Sequence, residues 1–279
     1  MKFAAIQFID CLSESIRDKN LLDIDGRPLW SYNARLLHET KHDYLKTMPT
    51  RNVEIGGFYI TTNYASSVFD AYEHSDEINF VPQQEFNVHK CPLSERVKDA
   101  VNYVKKCDNF DAYILLLGNS RCFRSHLLYE MIELYSIIEP LNPITGMLPV
   151  ASMPMLSPYR AMGINEWNVL YLACTDANTL TRQSNYSRGE DRHDSENCSW
   201  FYTGGPMIMS NRVKVPEKQE GWSNRQYRGT HFPYLGDKVF GYRIKPRDCM
   251  ELDAAWQLPM MSDEYNELEL AAKTRRQET

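Results

Sequence analysis

Residues 38–42 (HETKH) form the first motif in the chain whose residue types and spacing suit a chemical reaction. Two histidines four positions apart on a helix can bind Zn²⁺ on one face, and the glutamate after the first can act as a base, as in zinc proteases. Here the motif ends a predicted helix, is almost wholly polar, and lacks a following G-x-x-H third ligand. We interpret it as a solvated helix end and retain a zinc metalloprotease as a weak alternative.

The elements that must position functional residues alternate between strand and helix patterns in the first half of the chain. Apolar runs predict strands at 3–9, 57–62 and 112–117, and helical spacing predicts helices at 28–41, 65–73, 94–106 and 125–138. In the second half, 200–210 is interpreted as a strand, a Gly-Gly break and another strand, and 238–244 as a further strand. This alternation predicts a three-layer α/β fold with a mostly parallel central sheet.

Parallel sheets bind ligands outside the carboxyl ends of their strands. The loops expected at those ends are 10–20, 62–65, 82–92 and 118–121. The turn at 25–28 (DGRP) precedes the first predicted helix, with Pro28 suited to its first turn.

Composition narrows the classes of function. The 279 residues carry 31 Lys+Arg and 37 Asp+Glu, a net charge of −6, and no block of like charges that would favour nucleic acid or an anionic membrane surface. No apolar run reaches 18 residues, so no spanning helix is expected. Seven cysteines without a C-x-x-C pair argue against a disulfide framework or zinc ribbon, and we expect a cytoplasmic protein.

Several short motifs occur in an order that resembles a known family. They are the polar loop with Ser13 and Lys19-Asn20, then GRPL at 26–29, TTN at 61–63, LLLGNS at 115–120, TGG at 203–205 and ELD at 251–253. The order is similar to that of the acylneuraminate cytidylyltransferases, which make CMP-activated sugar acids. The resemblance implies a Rossmann-like nucleotidyltransferase fold and a Mg²⁺-dependent reaction. In it, a sugar hydroxyl attacks the α-phosphorus of CTP and pyrophosphate leaves.

The resemblance also implies roles for individual residues. Lys19 and Arg17 would supply positive charge to the triphosphate, and Asp10 is a third catalytic candidate, as a base or metal ligand. The expected nucleotide-binding residues are Ser13, Lys19, Asn20, Asn119 and Ser120. A sugar acid or sugar phosphate would contact Gln84, Arg121 and Arg124.

The expected Mg²⁺ ligands are Glu251 and Asp253. Two residues apart in an extended segment, their carboxylates point to the same side and offer the hard oxygen ligands that Mg²⁺ prefers.

Some positions depart from the family pattern. Asp10 and Glu14 stand where the family has basic residues, and Asn63, Leu117 and Arg121 replace its Asp, Gln and Pro. These changes motivate a second hypothesis, in which the same fold binds a nucleotide or sugar without turnover. Arg121, with Arg124, would equally suit a shift of substrate toward a sugar phosphate.

The chain is expected to form a single domain over 1–279 with an inserted segment at about 165–199. The family commonly dimerises through such an insertion, so the resemblance implies a homodimer.

Overall fold

The computed structural model describes residues 1–9, 16, 18–47, 52–82, 93–118, 120–121, 123–152, 162–164, 170–172, 200–202, 204–214, 232–236, 238–245 and 248. The strands in these ranges are β1 Lys2–Ile9, β2 Asp23–Ile24, β3 Arg27–Pro28, β4 Glu54–Thr62, β5 Ile78–Phe80, β6 Ala112–Leu117, β7 Gly146–Ser152, β8 Met162–Ile164, β9 Leu170–Leu172, β10 Trp200–Tyr202, β11 Met207–Ser210 and β12 Val239–Arg243. The α-helices are α1 Leu29–Glu39, α2 Leu93–Cys107 and α3 Ser125–Leu141.

The central sheet is mostly parallel. Strands β5, β4, β1 and β6 are parallel neighbours in that order, β11 then pairs antiparallel with both β6 and β7, and β12 pairs parallel with β7. The two-stranded hairpin of β2 and β3 stands apart, with Asp25 and Gly26 at positive φ in its turn. The predicted three-layer α/β fold with a mostly parallel sheet is therefore confirmed.

Strands β10 and β11 act as one interrupted strand. Along β7, β11 pairs with residues 146–147 and β10 with residues 150–152, while β12 occupies the other edge over residues 146–150. Three extra residues separate the two registers, and Gly204 and Gly205 lie there with φ of 96° and 102°. This confirms the predicted strand, Gly-Gly break and strand, because only glycine adopts such positive φ without strain.

Helices cover both faces of the sheet. Alternate residues of β1 point to opposite faces, as the strand period of two requires. Phe3, Ala5 and Ile9 pack with α1 and α3, whereas Ala4, Ile6 and Phe8 pack with α2. Strand β1 is buried from residue 3 to residue 9, which explains its nearly continuous apolar sequence.

Two predicted helices differ from the structure. The helix expected at 65–73 is only a short 3-10 turn at Ser66–Val68 followed by further turns, because Ser66, Ser67 and Asp70 favour turns over helix interiors. Phe69 and Tyr72 in this segment pack edge-on against Trp30, with ring centroids 4.8 and 5.5 Å away. The first helix does not end near residue 41 but continues as a π-helix over Thr40–Leu45. There the buried Thr40 hydroxyl donates to the Leu36 carbonyl oxygen at 2.7 Å, a contact that often distorts helices.

Strand β9 is the described part of the predicted insertion, and it pairs with β8. The rest of 165–199 lies outside the described residues, and so do residues 249–279. Among the described helices, none combines the length and apolar character needed to cross a bilayer.

The burial of two leucines predicts different losses of stability when each is replaced by alanine. Leu115 in β6 is fully buried, whereas Leu141 at the end of α3 is 82% exposed. We expect Leu115→Ala to lower the free energy of unfolding by about 2–5 kcal/mol, and Leu141→Ala to change it by less than about 0.5 kcal/mol. Urea unfolding of both variants measures this, and equal losses would contradict the assignment of β6 to the centre of the sheet.

Candidate active site

The carboxyl ends of three neighbouring strands meet at one edge of the sheet. In β1, Ile9 lies opposite Thr62 of β4, and Phe8 lies opposite Leu117 of β6. The loops that follow these strands therefore begin side by side. This is where ligands bind in sheets of this type.

The loop after β1 is held against the loop after β4. Asp18 adopts a left-handed conformation with φ of 49° and precedes a 3-10 turn at Lys19–Leu21. Its carboxylate accepts a hydrogen bond of 3.1 Å from the Tyr64 hydroxyl, just beyond the end of β4. Lys19 is half-buried at the start of this turn, in the loop that follows β1.

Asn20 packs against the end of β6. Its side chain is buried, and a Cβ placed on Gly118 would lie 2.9 Å from both Asn20 Oδ1 and the Phe8 carbonyl oxygen. Glycine at 118 is thus what allows the two loops to approach so closely. Asn33 of α1 also binds the end of β6, because its amide nitrogen donates a hydrogen bond to the Leu117 carbonyl oxygen at 2.6 Å.

Two further predicted residues follow β6. Ser120 is 1% exposed, and within the described part of the chain its hydroxyl has no hydrogen-bond partner. Arg121 is bound within the protein: its guanidinium donates to Asp25 at 2.6 Å and lies 4.6 Å from the centre of the Tyr32 ring. It anchors the β2–β3 turn to the end of β6. Its expected contact with a sugar substrate stays a prediction.

The structure places Lys19, Asn20, Ser120 and Arg121 at the same edge, with Arg124 exposed immediately before α3. A cation, an amide, a hydroxyl and an exposed guanidinium are groups that bind phosphate and carboxylate oxygens. The other predicted site residues lie outside the described residues: Asp10, Ser13, Arg17, Gln84, Asn119, Glu251 and Asp253.

The residues that position this edge are not among the predicted site residues. Asn33 was detectable, because a polar residue among the apolar positions of α1 must find a partner when buried. Tyr64, Asp25 and Tyr32 gave no such signal. Their contacts join parts of the chain that sequence spacing does not relate.

The HETKH segment is not a solvated helix end. His38 and His42 are half-buried, their rings stack with centroids 4.3 Å apart, and both face Glu77. Burial and the neighbouring His74 and His42 lower the pKa of His38. Glu39, the base of the protease motif, instead accepts a hydrogen bond from Arg35 at 2.6 Å. This contact argues against Glu39 as the base of a metalloprotease, whereas the two histidines keep a geometry that a metal ion could use.

No protein-family model and no curated protein matches the sequence. Solved structures do match it. A CMP:2-keto-3-deoxy-manno-octonic acid synthetase complexed with CTP aligns over 100% of both chains with a TM-score of 0.59 and 11% identity. The chain has the nucleotidyltransferase fold. A structure titled as a putative glucose-1-phosphate thymidylyltransferase from Bacillus anthracis shares this fold, with 94% of this chain and 95% of that chain aligned, a TM-score of 0.57 and 10% identity. The inositol-1-phosphate CTP transferase from T. maritima shares it too, with 92% of this chain and 94% of that chain aligned, a TM-score of 0.50 and 15% identity.

The close approach at Gly118 gives a first prediction for this edge. Gly118→Ala places a methyl group against a backbone oxygen that cannot move freely, so we expect a loss of about 1–3 kcal/mol in stability. Ser120→Ala is the matched control, because it removes a hydroxyl that makes no hydrogen bond in the described structure. Denaturant unfolding of both variants checks this, and a Gly118→Ala variant as stable as the control would refute the close packing.

The Asp25–Arg121 pair gives a second prediction. Asn also tolerates positive φ, so Asp25→Asn keeps the turn but leaves the Arg121 side chain, 6% exposed, without its charged partner. We expect a destabilisation of about 1–3 kcal/mol. Asp99→Asn, at an exposed position of α2, is the control and should be near neutral. Equal thermal melting of the two variants would show that the ion pair contributes nothing.

Proposed function

We propose that this protein is a nucleotidyltransferase that transfers a nucleoside monophosphate from a nucleoside triphosphate to a sugar acid or sugar phosphate, releasing pyrophosphate. The observation that carries the proposal is the convergence of Lys19, Asn20 and Ser120 at the carboxyl edge of the sheet. This edge belongs to a fold whose solved examples include a CMP-sugar acid synthetase bound to CTP.

In this proposal the loop after β1 binds the triphosphate. Lys19 lies at the head of the 3-10 turn, and the Tyr64–Asp18 hydrogen bond together with the packing of Asn20 on Gly118 holds that turn in place. A cation fixed in advance stabilises the charge that develops on the leaving pyrophosphate without reorganising during the reaction. The protein's own contribution is then mainly positioning and charge neutralisation.

The acceptor sugar would bind nearer to β6. Asp25 already neutralises Arg121, whereas Arg124 is exposed beside the same loop, so Arg124 is the better candidate to hold a carboxylate or phosphate of the sugar. The Ser120 hydroxyl would contribute a hydrogen bond to one of the two substrates.

Mg²⁺ is part of the proposal through Glu251 and Asp253. Two carboxylates two positions apart are a donor set that fits Mg²⁺. A bound ion would neutralise phosphate charge. CTP as the preferred nucleotide, a homodimer and a cytoplasmic location are likewise proposals that the family resemblance supports.

A second candidate is a protein of the same fold that binds a nucleotide or sugar without turnover. It is favoured by Asn63, which lies exposed at the end of β4 where the family pattern has an Asp, and by the acidic residues Asp10 and Glu14. Such a protein would bind ligand calorimetrically but release no pyrophosphate.

Pyrophosphate release distinguishes the two candidates. Each of the four ribonucleoside triphosphates is incubated with Mg²⁺ and a panel of sugar acids and sugar phosphates. Turnover with CTP and a sugar acid would support the family reaction, and turnover with another pair would redefine the substrates. Nucleotide binding with no turnover across the panel would support the binding-only candidate.

Lys19→Ala tests the residue on which the mechanism depends most. We expect turnover to fall by about 10²–10³-fold because the charge opposite the triphosphate is lost. Lys106→Ala, at an exposed position near the end of α2, is the matched control and should keep full activity. A folded Lys19→Ala variant with unchanged turnover would remove Lys19 from the site.

A further inference from the structure

A second cluster of polar residues lies at the opposite edge of the sheet from the candidate active site. Glu77 immediately precedes β5, whose first residue Ile78 pairs with Phe58 in the middle of β4. The end of β4 at Thr62 is four residues further along, or about 13 Å at the usual rise of a strand. His38 and His42 reach this edge from the end of α1 and from the π-helix that continues it.

Three ligand atoms in this cluster converge. His38 Nδ1 lies 3.6 Å and His42 Nε2 lies 3.5 Å from the same oxygen of Glu77, Oε1. All three atoms lie within 4.8 Å of one another. Bonds of about 2.0–2.1 Å in a tetrahedral zinc site separate ligand atoms by about 3.3 Å, so the two contacts with Glu77 exceed a tetrahedral edge by only a few tenths of an ångström.

Hydrogen bonding within the described structure does not account for this convergence. The two nitrogens are shielded from solvent and have no hydrogen-bond partner there, since their distances to Glu77 exceed hydrogen-bond length. Shielded polar atoms normally have partners, and imidazole nitrogens that point at a carboxylate oxygen are an arrangement that a metal ion satisfies.

Neighbouring groups orient these ligands. The Lys41 ammonium donates to the other Glu77 oxygen, Oε2, at 3.0 Å, which leaves Oε1 turned toward the histidines. The His74 ring stacks on His38 with centroids 3.6 Å apart and planes 5° from parallel, which fixes the plane of the His38 ring. Such outer contacts are typical of metal sites, where they set ligand orientation.

We propose that His38, His42 and Glu77 bind a divalent transition-metal ion, with Zn²⁺ as the best-suited ion. Two imidazoles and one carboxylate leave a fourth position for water. His38 and Glu77 also line a pocket of about 240 Å³. Glu39 faces Arg35 and not the histidines, so the role proposed for the ion is to cross-link the end of α1 to the segment before β5.

Lys46 competes with the ion. Its ammonium lies 3.0 Å from His42 Nδ1, and a hydrogen bond donated there places the proton of a neutral ring on Nε2, the ligand atom. Metal binding through Nε2 therefore requires the exposed Lys46 side chain to give up its hydrogen bond to Nδ1. We expect Lys46→Ala to bind the metal at least as tightly as the wild type.

The test titrates the full chain, freed of metal by EDTA, with Zn²⁺ by calorimetry and with Co²⁺ by visible spectroscopy. The wild type should bind one Zn²⁺ at this site and melt several degrees higher with it, roughly what tight binding of one ligand produces. The Co²⁺ spectrum should show a four-coordinate ion without a thiolate charge-transfer band.

His38→Ala, His42→Ala and Glu77→Gln should each weaken binding by more than about tenfold. His126→Ala, in α3 and outside the cluster, is the matched control and should bind as the wild type does. Circular dichroism verifies that each variant is folded, and Glu77→Gln preserves shape if a histidine variant does not fold. Wild-type protein without a Zn²⁺-dependent rise in melting temperature, a Co²⁺ spectrum with thiolate ligands, or a His38→Ala/His42→Ala double variant that binds like the control would overturn the proposal.

Discussion

The pairing of β1 on both of its edges is the constraint on which the rest of the structure depends. Every residue of β1 pairs with β4, and residues 3–8 also pair with β6. Neighbouring strands lie about 4.8 Å apart, so this double ladder fixes the ends of three strands within the width of one bound nucleotide. Polar residues in the loops that follow, such as Lys19 and Ser120, converge because the ladder leaves those loops no other starting point.

Helix α1 is fixed to the central strands and connects the two edges of the sheet at which the candidate sites lie. Two buried amides bind it to the central strands: Gln7 Nε2 donates to the Trp30 carbonyl oxygen at 2.8 Å, and Asn33 Nδ2 donates to that of Leu117. Its first turn lies beside the candidate active site, and its last turn carries His38. One helix thus positions residues for both candidate sites, and His42, four residues after His38, stacks on it from the π-helix that follows.

Charge is distributed at the carboxyl edge in a way that suits anionic substrates. Asp25 and the Tyr32 ring hold Arg121 in place, so that arginine supports the loop architecture. Lys19 follows β1 and is half-buried, whereas Arg124 follows β6 and is exposed. The departures from the family pattern at Asn63 and Leu117 lie at the ends of the neighbouring strands, where they would affect substrate choice more than the fold.

Sequence alone determined what local spacing controls. The apolar run of β6, the buried stripe Val97, Ala100, Val101 and Val104 of α2, and the Gly-Gly interruption were predictable because side-chain period and glycine φ are local properties. The order of the motifs predicted the nucleotidyltransferase fold. Tertiary structure decided the packing of Phe69 and Tyr72 on Trp30, which joins two segments about forty residues apart. The Arg121–Asp25 ion pair and the contact between His38 and Glu77 also depend on tertiary structure. Residues so far apart in sequence come into contact only once the sheet has formed.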